Sequence, residues 1–301
     1  RGHRVISMPP PSSGGITIAL VAHELSHYDL RTLGWHSPEE LHFLTEAMRR
    51  GFAVRNTVLG DPDFVSIPTT RLLSQQYADS LASTIDAHHG TPSSTITLGQ
   101  AAQVERKQTT HFSVVDGKGG AVALTTTLNG DHGSAVVVAG GGFLLNDEMD
   151  DFASEPGKAN MFGLVQGEAN AIAPGKRMLS SMSPTIVMAQ DNTPLLVTGA
   201  QGGPTIISTT FEMISNVIDY DMGVGAAVSA PRTHHQHLPD TLFYERGGIP
   251  ESTLTALQAM GHATSAVGAH GDLGFAASII RKDGIVHGMA DPRVRGLAEG
   301  Y

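Results

Sequence analysis

Apolar residues recur at two different spacings along this chain, and the change comes near residue 109. Upstream the spacing is helical. Val5 and Ile6 read as a short strand that runs into Pro9-Pro10-Pro11-Ser12-Ser13-Gly14-Gly15, a loop that breaks any regular backbone. An apolar stretch from Ile16 to Leu25 then predicts a helix. A second helix follows Ser37-Pro38-Glu39-Glu40, where Ser37 can cap, Pro38 suits the first helical position and Glu40 can close a capping box; its apolar face begins Leu41, Leu44, Ala47, Met48. Asp61-Pro62 and Ile67-Pro68 interrupt the pattern, a third helix is expected over Leu72 to Ala87, and Gly90 to Ser94 reads as loop.

From residue 109 the pattern alternates. Thr110 to Val115, the turn Asp116-Gly117-Lys118-Gly119-Gly120 and Ala121 to Leu128 predict a β-hairpin. Val136 to Ala139 and Phe143 to Leu145 are expected as further strands around the Gly140-Gly141-Gly142 bend. Thr185 to Met188 and Leu195 to Val197 are expected as a buried pair turned at Asp191-Asn192. Gly202-Gly203-Pro204 opens a helix over Thr205 to Ile218, Ser252 to Met260 is a shorter one, and Phe275 to Ile280 with Ile285 to Met289 forms a hairpin at Asp283-Gly284. Strands flanked by helices make the class α/β or α+β.

Composition narrows the function. With 19 basic and 29 acidic residues and no basic stripe, the net charge of −10 argues against a nucleic acid or an anionic membrane as partner and favours a small molecule or peptide. The absence of cysteine removes disulfides, thiolate metal sites and cysteine nucleophiles together. The longest apolar runs fall far short of the ~18 residues of a membrane span.

Two histidine patterns invite a metal. His23-Glu24-Leu25-Ser26-His27 fits H-E-x-x-H, which on a helix sets two imidazoles one turn apart with a carboxylate beside the metal's water. Leu30 and Leu33 stand where the extended motif needs Gly and a third His, and no spacing selects Glu39, Glu40 or Glu46 as a third ligand. His234, His235 and His237 could share a metal, but buried histidines bonded to backbone are the more ordinary arrangement, and that reading is preferred.

A third constellation suits acyl transfer. Thr109 is followed by Thr127 and Asn129 on the partner strand, acids at Glu148, Asp150 and Asp151, the run Ser180-Ser181-Met182-Ser183-Pro184, and Gly202-Gly203 at a helix start. Cleavage before Thr109 would free an α-amine beside its own hydroxyl, and such an amine can serve as the base that activates it. Gly202 and Gly203 could present N–H groups at a helix N-terminus, where developing negative charge is favoured.

These residues resemble the γ-glutamyltransferase (γ-glutamyl transpeptidase) family, and the likeness covers essentially the entire chain. Thr109-Thr110-His111-Phe112-Ser113-Val114-Val115-Asp116 is similar to the start of that family's small subunit. Met149-Asp150-Asp151-Phe152, Leu179 to Thr185, Val197-Thr198-Gly199 with Gly202-Gly203, Ala230-Pro231-Arg232 and Asp291-Pro292-Arg293 match in order. Ser7 to Gly15 and Leu59 to Phe64 resemble the C-terminal part of its large subunit.

The resemblance implies an α+β, N-terminal-nucleophile four-layer αββα sandwich, incomplete here because the N-terminal part of the large subunit is absent. Residues 1–108 would be the mostly helical C-terminal part of the large subunit, and 109–301 the small catalytic subunit. Self-cleavage between Gln108 and Thr109 would yield a large/small subunit heterodimer. Thr109 would attack the γ-amide of glutathione or a related compound, and the acyl-enzyme would pass to water or to an amino acid or peptide acceptor. Thr127 would hydrogen-bond the nucleophile, Asn129, Glu148 and Asp151 would hold the α-amino end, and Ser180 and Ser181 the α-carboxylate. Gly202 and Gly203 would form the oxyanion hole. No cofactor or metal is implied, and the location would be periplasmic or secreted, with the signal region outside this sequence.

Two departures from the family pattern stand out. The family's carboxylate-binding arginine lies upstream of Arg1, and Phe162 occupies the place of a gating Tyr in the loop Pro156 to Gly167, which predicts a looser lid. The alternatives are a zinc peptidase built on His23, Glu24 and His27, and a related acylase with another substrate.

Overall fold

The computed structural model describes residues 1–96, 109–268 and 273–301. In chain order the elements are β1 (Arg4–Ile6), α1 (Gly14–Leu25), α2 (Leu30–Leu33), α3 (Pro38–Val58), α4 (Thr69–Leu72), α5 (Gln75–Ala82), β2 (Thr109–Val115) and β3 (Ala121–Thr127). They continue with β4 (Thr185–Met188), β5 (Pro194–Thr198), β6 (Ala200–Gln201), α6 (Thr205–Ile218), α7 (Val224–Ser229), β7 (Thr233–His234) and β8 (Leu242–Glu245). The last are α8 (Glu251–Ala259), β9 (Thr264–Val267), β10 (Phe275–Lys282) and β11 (Ile285–Ala290).

The main sheet runs β1-β4-β5-β10-β11, with β6 also paired to β10, and its neighbours are antiparallel. The β2–β3 ribbon lies against it, since Ser113 Oγ donates to the Ala277 carbonyl at 2.9 Å. On the sheet's other face α6 and α7 bury Met213, Ala227 and Val228 against Val187, Leu196 and Ile280. The outer face of the ribbon carries Phe112, Val114, Val122 and Leu124, all exposed. Helices, sheet and ribbon make three layers, the α+β arrangement of an N-terminal-nucleophile hydrolase with its ribbon face open among the described residues. No described helix is long and apolar enough to cross a membrane.

Helix α3 is the spine of the second core, where Leu41, Leu44, Met48 and Phe52 meet Leu25, Phe211 and Leu257. Ser37 Oγ caps it by accepting the Glu40 N–H at 3.0 Å. The expected return bond is displaced by one residue: Glu40 takes the N–H of His36 at 3.2 Å, because the Ser37 N–H is bonded to Gly34 O. α3 also carries a buried ion network, with Glu46 paired to both Arg49 and Arg50, and Arg49 reaching Asp240.

Other expectations change. The helix expected over 72–87 shortens to α5: Leu72 ends α4, Ser74 Oγ accepts the Tyr77 N–H and starts α5 afresh, and the chain leaves it at Ser83. The strands expected over 136–139 and 143–145 reduce to a bridge between Val137 and Leu144, whose side chains stay outside the sheets. With no sheet edge beside them among the described residues, alternation alone does not extend them.

Glu40 and Glu212 are buried near each other. Burial, then the charge of Glu212, pushes Glu40 up to about 8, and burial pushes Glu212 up to about 7. Both folded values lie above the ordinary 4.5. Their contribution to stability is therefore complete below the ordinary value and is lost as pH rises through about 7 and about 8. We expect the denaturant midpoint to fall between roughly pH 4.5 and 8 and to level off above, and Glu40→Gln to flatten the fall; equal slopes in urea titrations of the two proteins would contradict this origin.

Candidate active site

The register of the β2–β3 ribbon sets Thr109 directly opposite Thr127. Their hydroxyls meet, with Thr109 Oγ1 donating to Thr127 Oγ1 at 3.1 Å, while Thr127 Oγ1 also accepts the Asn129 N–H at 2.8 Å. Thr109 is buried to 7% exposure, yet it lines a pocket. His111, two residues on, points the same way into the molecule. It bonds Thr125 Oγ1 and Ser113 Oγ, and burial pushes it down to about 4, so its ring is neutral. The ring fills the space where a Cβ on Gly199 would lie, 2.3 Å from that position. A glycine is therefore needed for the nucleophile strand to seat on the sheet.

Asn129 has φ +75°, a left-handed conformation that Asn tolerates better than most residues. Its amide faces the Asp147 carbonyl at 3.4 Å and Met161 Sδ at 3.5 Å. Glu148 and Asp151 sit on a 3₁₀ turn after Asp147. Glu148 Oε2 is buried without a hydrogen-bond partner, and burial followed by the charge of Asp147 pushes the group up to about 7. The Asp151 carbonyl accepts side-chain N–H groups of Asn160, Gln166 and Asn170, which fixes the turn.

Ser180 and Ser181 are held by the Pro-Ser-Gly loop near the other end of the sequence. Ser13 N–H donates to Ser180 O at 2.8 Å, Ser180 N–H to Pro11 O at 3.0 Å, and Ser12 Oγ to Met182 O at 2.6 Å. Gly14 permits this approach, since a Cβ there would stand 2.0 Å from Ser183 Oγ. Behind the loop, Asp61 binds Arg177 through both carboxylate oxygens.

The Gly202-Gly203 turn opens α6 with φ of +133° and +61°. A Cβ on Gly202 would lie 2.5 Å from Thr205 Oγ1 and 2.8 Å from Gly274 Cα. Thr205 Oγ1 closes the turn on Gly202 O at 2.7 Å.

Thr109, Thr127, Asn129, Glu148, Asp151, Ser180, Ser181 and Gly203 thus come to one pocket, with Gly202 adjoining it. Gln108 lies outside the described residues. The pocket encloses about 20 Å³, room for one water molecule. Part of its wall is the loop 156–167. There Phe162 is buried at 3% exposure within the α3 core, and its backbone is held by Asn160 Oδ1 and Gln236 Nε2. The ring's burial, worth roughly 1.5–3 kcal/mol, anchors this part of the loop in place of the looser lid expected from the missing tyrosine hydroxyl, and Met161 supplies a contact to Asn129.

Sequence reasoning missed the basic residue of this pocket, Arg55. Its signal was readable: Met48, Phe52 and Arg55 follow one another on the buried stripe of α3, so a basic residue continues an apolar face.

The histidine motifs resolve differently. Glu24 is fully buried with both oxygens unpaired, and burial raises it well above the usual carboxyl range, while His27 turns outward to Asp79 at 2.9 Å. Among the described residues no cluster of three His, Asp or Glu could hold a metal. His234 bonds Ser208 and Gln236, His235 bonds Asp240, and His237 bonds Ser93 O, so the three rings have separate partners. A larger cavity of about 700 Å³ between β1, α1 and α6 contains none of the acyl-transfer residues.

Comparison with known proteins finds one family along the whole chain. The family model for gamma-glutamyltranspeptidase matches residues 1–301. The glutathione hydrolase proenzyme of Escherichia coli (strain K12) is 46% identical over 302 residues, covering 100% of this chain and 51% of that protein. The chain thus spans about half the length of the curated relatives it matches. Among solved structures, gamma-glutamyltranspeptidase from Pseudomonas nitroreducens complexed with L-DON is 46% identical, with a TM-score of 0.60 over 64% of this chain and 99% of that one. The cephalosporin acylase of Bacillus halodurans shares the fold at 24% identity, with a TM-score of 0.81 over 100% of this chain and 52% of its own. By its sequence over its full length, the chain belongs to the gamma-glutamyltranspeptidase family.

Proposed function

We propose that this chain carries the nucleophile and most of the substrate pocket of a γ-glutamyl-transferring and -hydrolysing enzyme acting on glutathione or related compounds. The observation that carries the reading is the 3.1 Å contact of Thr109 and Thr127 hydroxyls in one pocket with Glu148, Asp151, Ser180 and Ser181. Residues 1–108 fall in the C-terminal part of the large subunit and 109–301 form the small subunit of a heterodimer made by self-cleavage at Gln108/Thr109, in a periplasmic or secreted protein.

Each step follows from the groups present. The amine freed at Thr109 takes the Oγ1 proton as Oγ1 attacks the γ-carbonyl. Thr127 keeps the hydroxyl oriented. The carbonyl oxygen gains negative charge beside the Gly202-Gly203 turn, where the α6 N-terminus is favourable to it. The C–N bond breaks, the proton passes to the leaving amine, and an ester remains on Thr109. Water or an acceptor amine then gives up a proton to the α-amine and attacks that ester, which restores Thr109. Glu148 and Asp151 hold the substrate's ammonium end and the two serines its carboxylate end. The 20 Å³ pocket is too small for a glutamyl group, so it must widen for substrate to enter.

Thr109→Ala should abolish both processing and release of nitroaniline from γ-glutamyl p-nitroanilide, and a chelator should leave the parent activity intact. Mass spectrometry should show fragments meeting at Gln108/Thr109. Activity that survives Thr109→Ala, or that a chelator removes, would sink the reading.

Gly202→Ala drives a Cβ into backbone at Gly274 and should destabilise by at least about 2 kcal/mol. Thermal or urea denaturation of the variant checks this, and an unchanged midpoint would contradict the assigned geometry.

Glu148 makes substrate binding pH-dependent. It is neutral below about 7 and anionic above, so its attraction for an ammonium group grows as pH rises through that value. KM for the anilide should fall several-fold, up to roughly tenfold, between about pH 6 and 8, and Glu148→Gln should remove that step. A KM profile unchanged in the variant would assign the dependence elsewhere.

A further inference from the structure

Arg55 lies in the last turn of α3 and is 1% exposed. A buried guanidinium ordinarily bonds a carboxylate, but the partners here are neutral. Nε donates to Ser13 Oγ at 2.9 Å, Nη1 to Asn56 Oδ1 at 2.9 Å, and Nη2 to Ser181 Oγ at 2.9 Å. Burial pushes the group down to about 10, and the charge of Asp151, which lines the same pocket, works the other way. Even at that value the guanidinium stays charged at neutral pH.

The direction of these bonds matters. Ser181 Oγ accepts from Arg55, and Ser180 Oγ accepts from the Met182 N–H at 3.1 Å. Each hydroxyl oxygen is thus engaged as an acceptor, and each still has one hydrogen to give. Both side chains line the pocket. Two hydroxyl donors on adjacent residues, backed by a buried positive charge, form a site for a carboxylate.

We propose that Arg55 is a positioning residue for the carboxylate end of the substrate: it occupies the acceptor side of Ser181, turns that hydroxyl into a donor toward the pocket, and sets a positive charge behind it. The proposal rests on the γ-glutamyl reading above and deepens it. Asp151 and Arg55 then mark the two ends of a zwitterionic amino-acid group, ammonium toward the acids and carboxylate toward the serines. The same guanidinium, through Ser13, ties the carboxylate subsite to the Pro-Ser-Gly loop. Lysine cannot replace it, because a single ammonium does not span Ser13, Asn56 and Ser181 together.

The test is competition against γ-glutamyl p-nitroanilide in the processed protein by L-glutamate and by 4-aminobutyrate, which lacks the α-carboxylate. In the parent protein glutamate should bind at least about tenfold more tightly. Arg55→Gln should raise Ki for glutamate by about that factor while leaving Ki for 4-aminobutyrate and kcat within about twofold, and Arg55→Lys should fall between. If the buried variants do not fold, Ser181→Ala keeps Arg55 in place and should show the same selective rise. A parent protein indifferent to the α-carboxylate, an equal rise for both competitors, or an unchanged preference in Ser181→Ala would overturn the assignment of Arg55. No turnover of the anilide by the parent protein would instead overturn the underlying reading, and the proposal with it.

Discussion

The pocket depends on one close backbone approach, where residues 11–14 run beside residues 180–183. Across this seam Ser13 N–H donates to Ser180 O and Ser180 N–H to Pro11 O, and both serine hydroxyls of the upstream loop are spent on carbonyls of the downstream segment. Only a residue without a Cβ fits at Gly14, because Ser183 Oγ already occupies the space. Asp61 and Arg177 fasten the flank of the same junction, so the floor of the pocket is fixed by the first part of the chain although its polar groups belong to the second.

The seam also explains the character of α3. Along its length it bears Glu46, Arg49, Arg50 and Arg55, all buried. Such charges add little net stability compared with apolar packing, but removing one partner is costly. Their effect is to hold the helix in one register: Glu46 and the two arginines bind it to the segment around Ser93 and Thr91, and Arg55 binds it to the seam. The helix end is thereby placed to within hydrogen-bond reach of Ser181, and small displacements of α3 would be felt in the pocket.

Much of the local structure was legible. The cap at Ser37, the turns at Asp116-Gly117, Asp191-Asn192 and Asp283-Gly284, and the helix after Gly202-Gly203 all formed as their residues imply. Reading failed where a local signal needed a distant partner. Val136 to Leu145 alternates but no sheet edge among the described residues receives it, and Ser74 starts a helix later than apolar spacing alone predicts. The parallel pair β8–β9 and helix α7 were missed, because a pairing between residues about twenty positions apart leaves no periodic trace in either segment. Glu40 satisfied its role one residue from the expected place, as the Gly34 carbonyl had already claimed Ser37.

At the site, the sequence by itself determined the residue types and their order: a threonine at a strand start, acids after the hairpin, paired serines before a strand, and paired glycines before a helix. It also determined the register that opposes Thr109 and Thr127, since a short antiparallel hairpin leaves little freedom in pairing. The tertiary structure alone decided which of the other polar residues face the pocket. Glu24 was buried on α1 while His27 turned outward to Asp79, Phe162 was drawn into the α3 core, and Arg55 was brought against a serine 126 positions away. Periodicity records which side of an element is buried, but what a buried side chain touches is set by the packing of elements far apart in the chain.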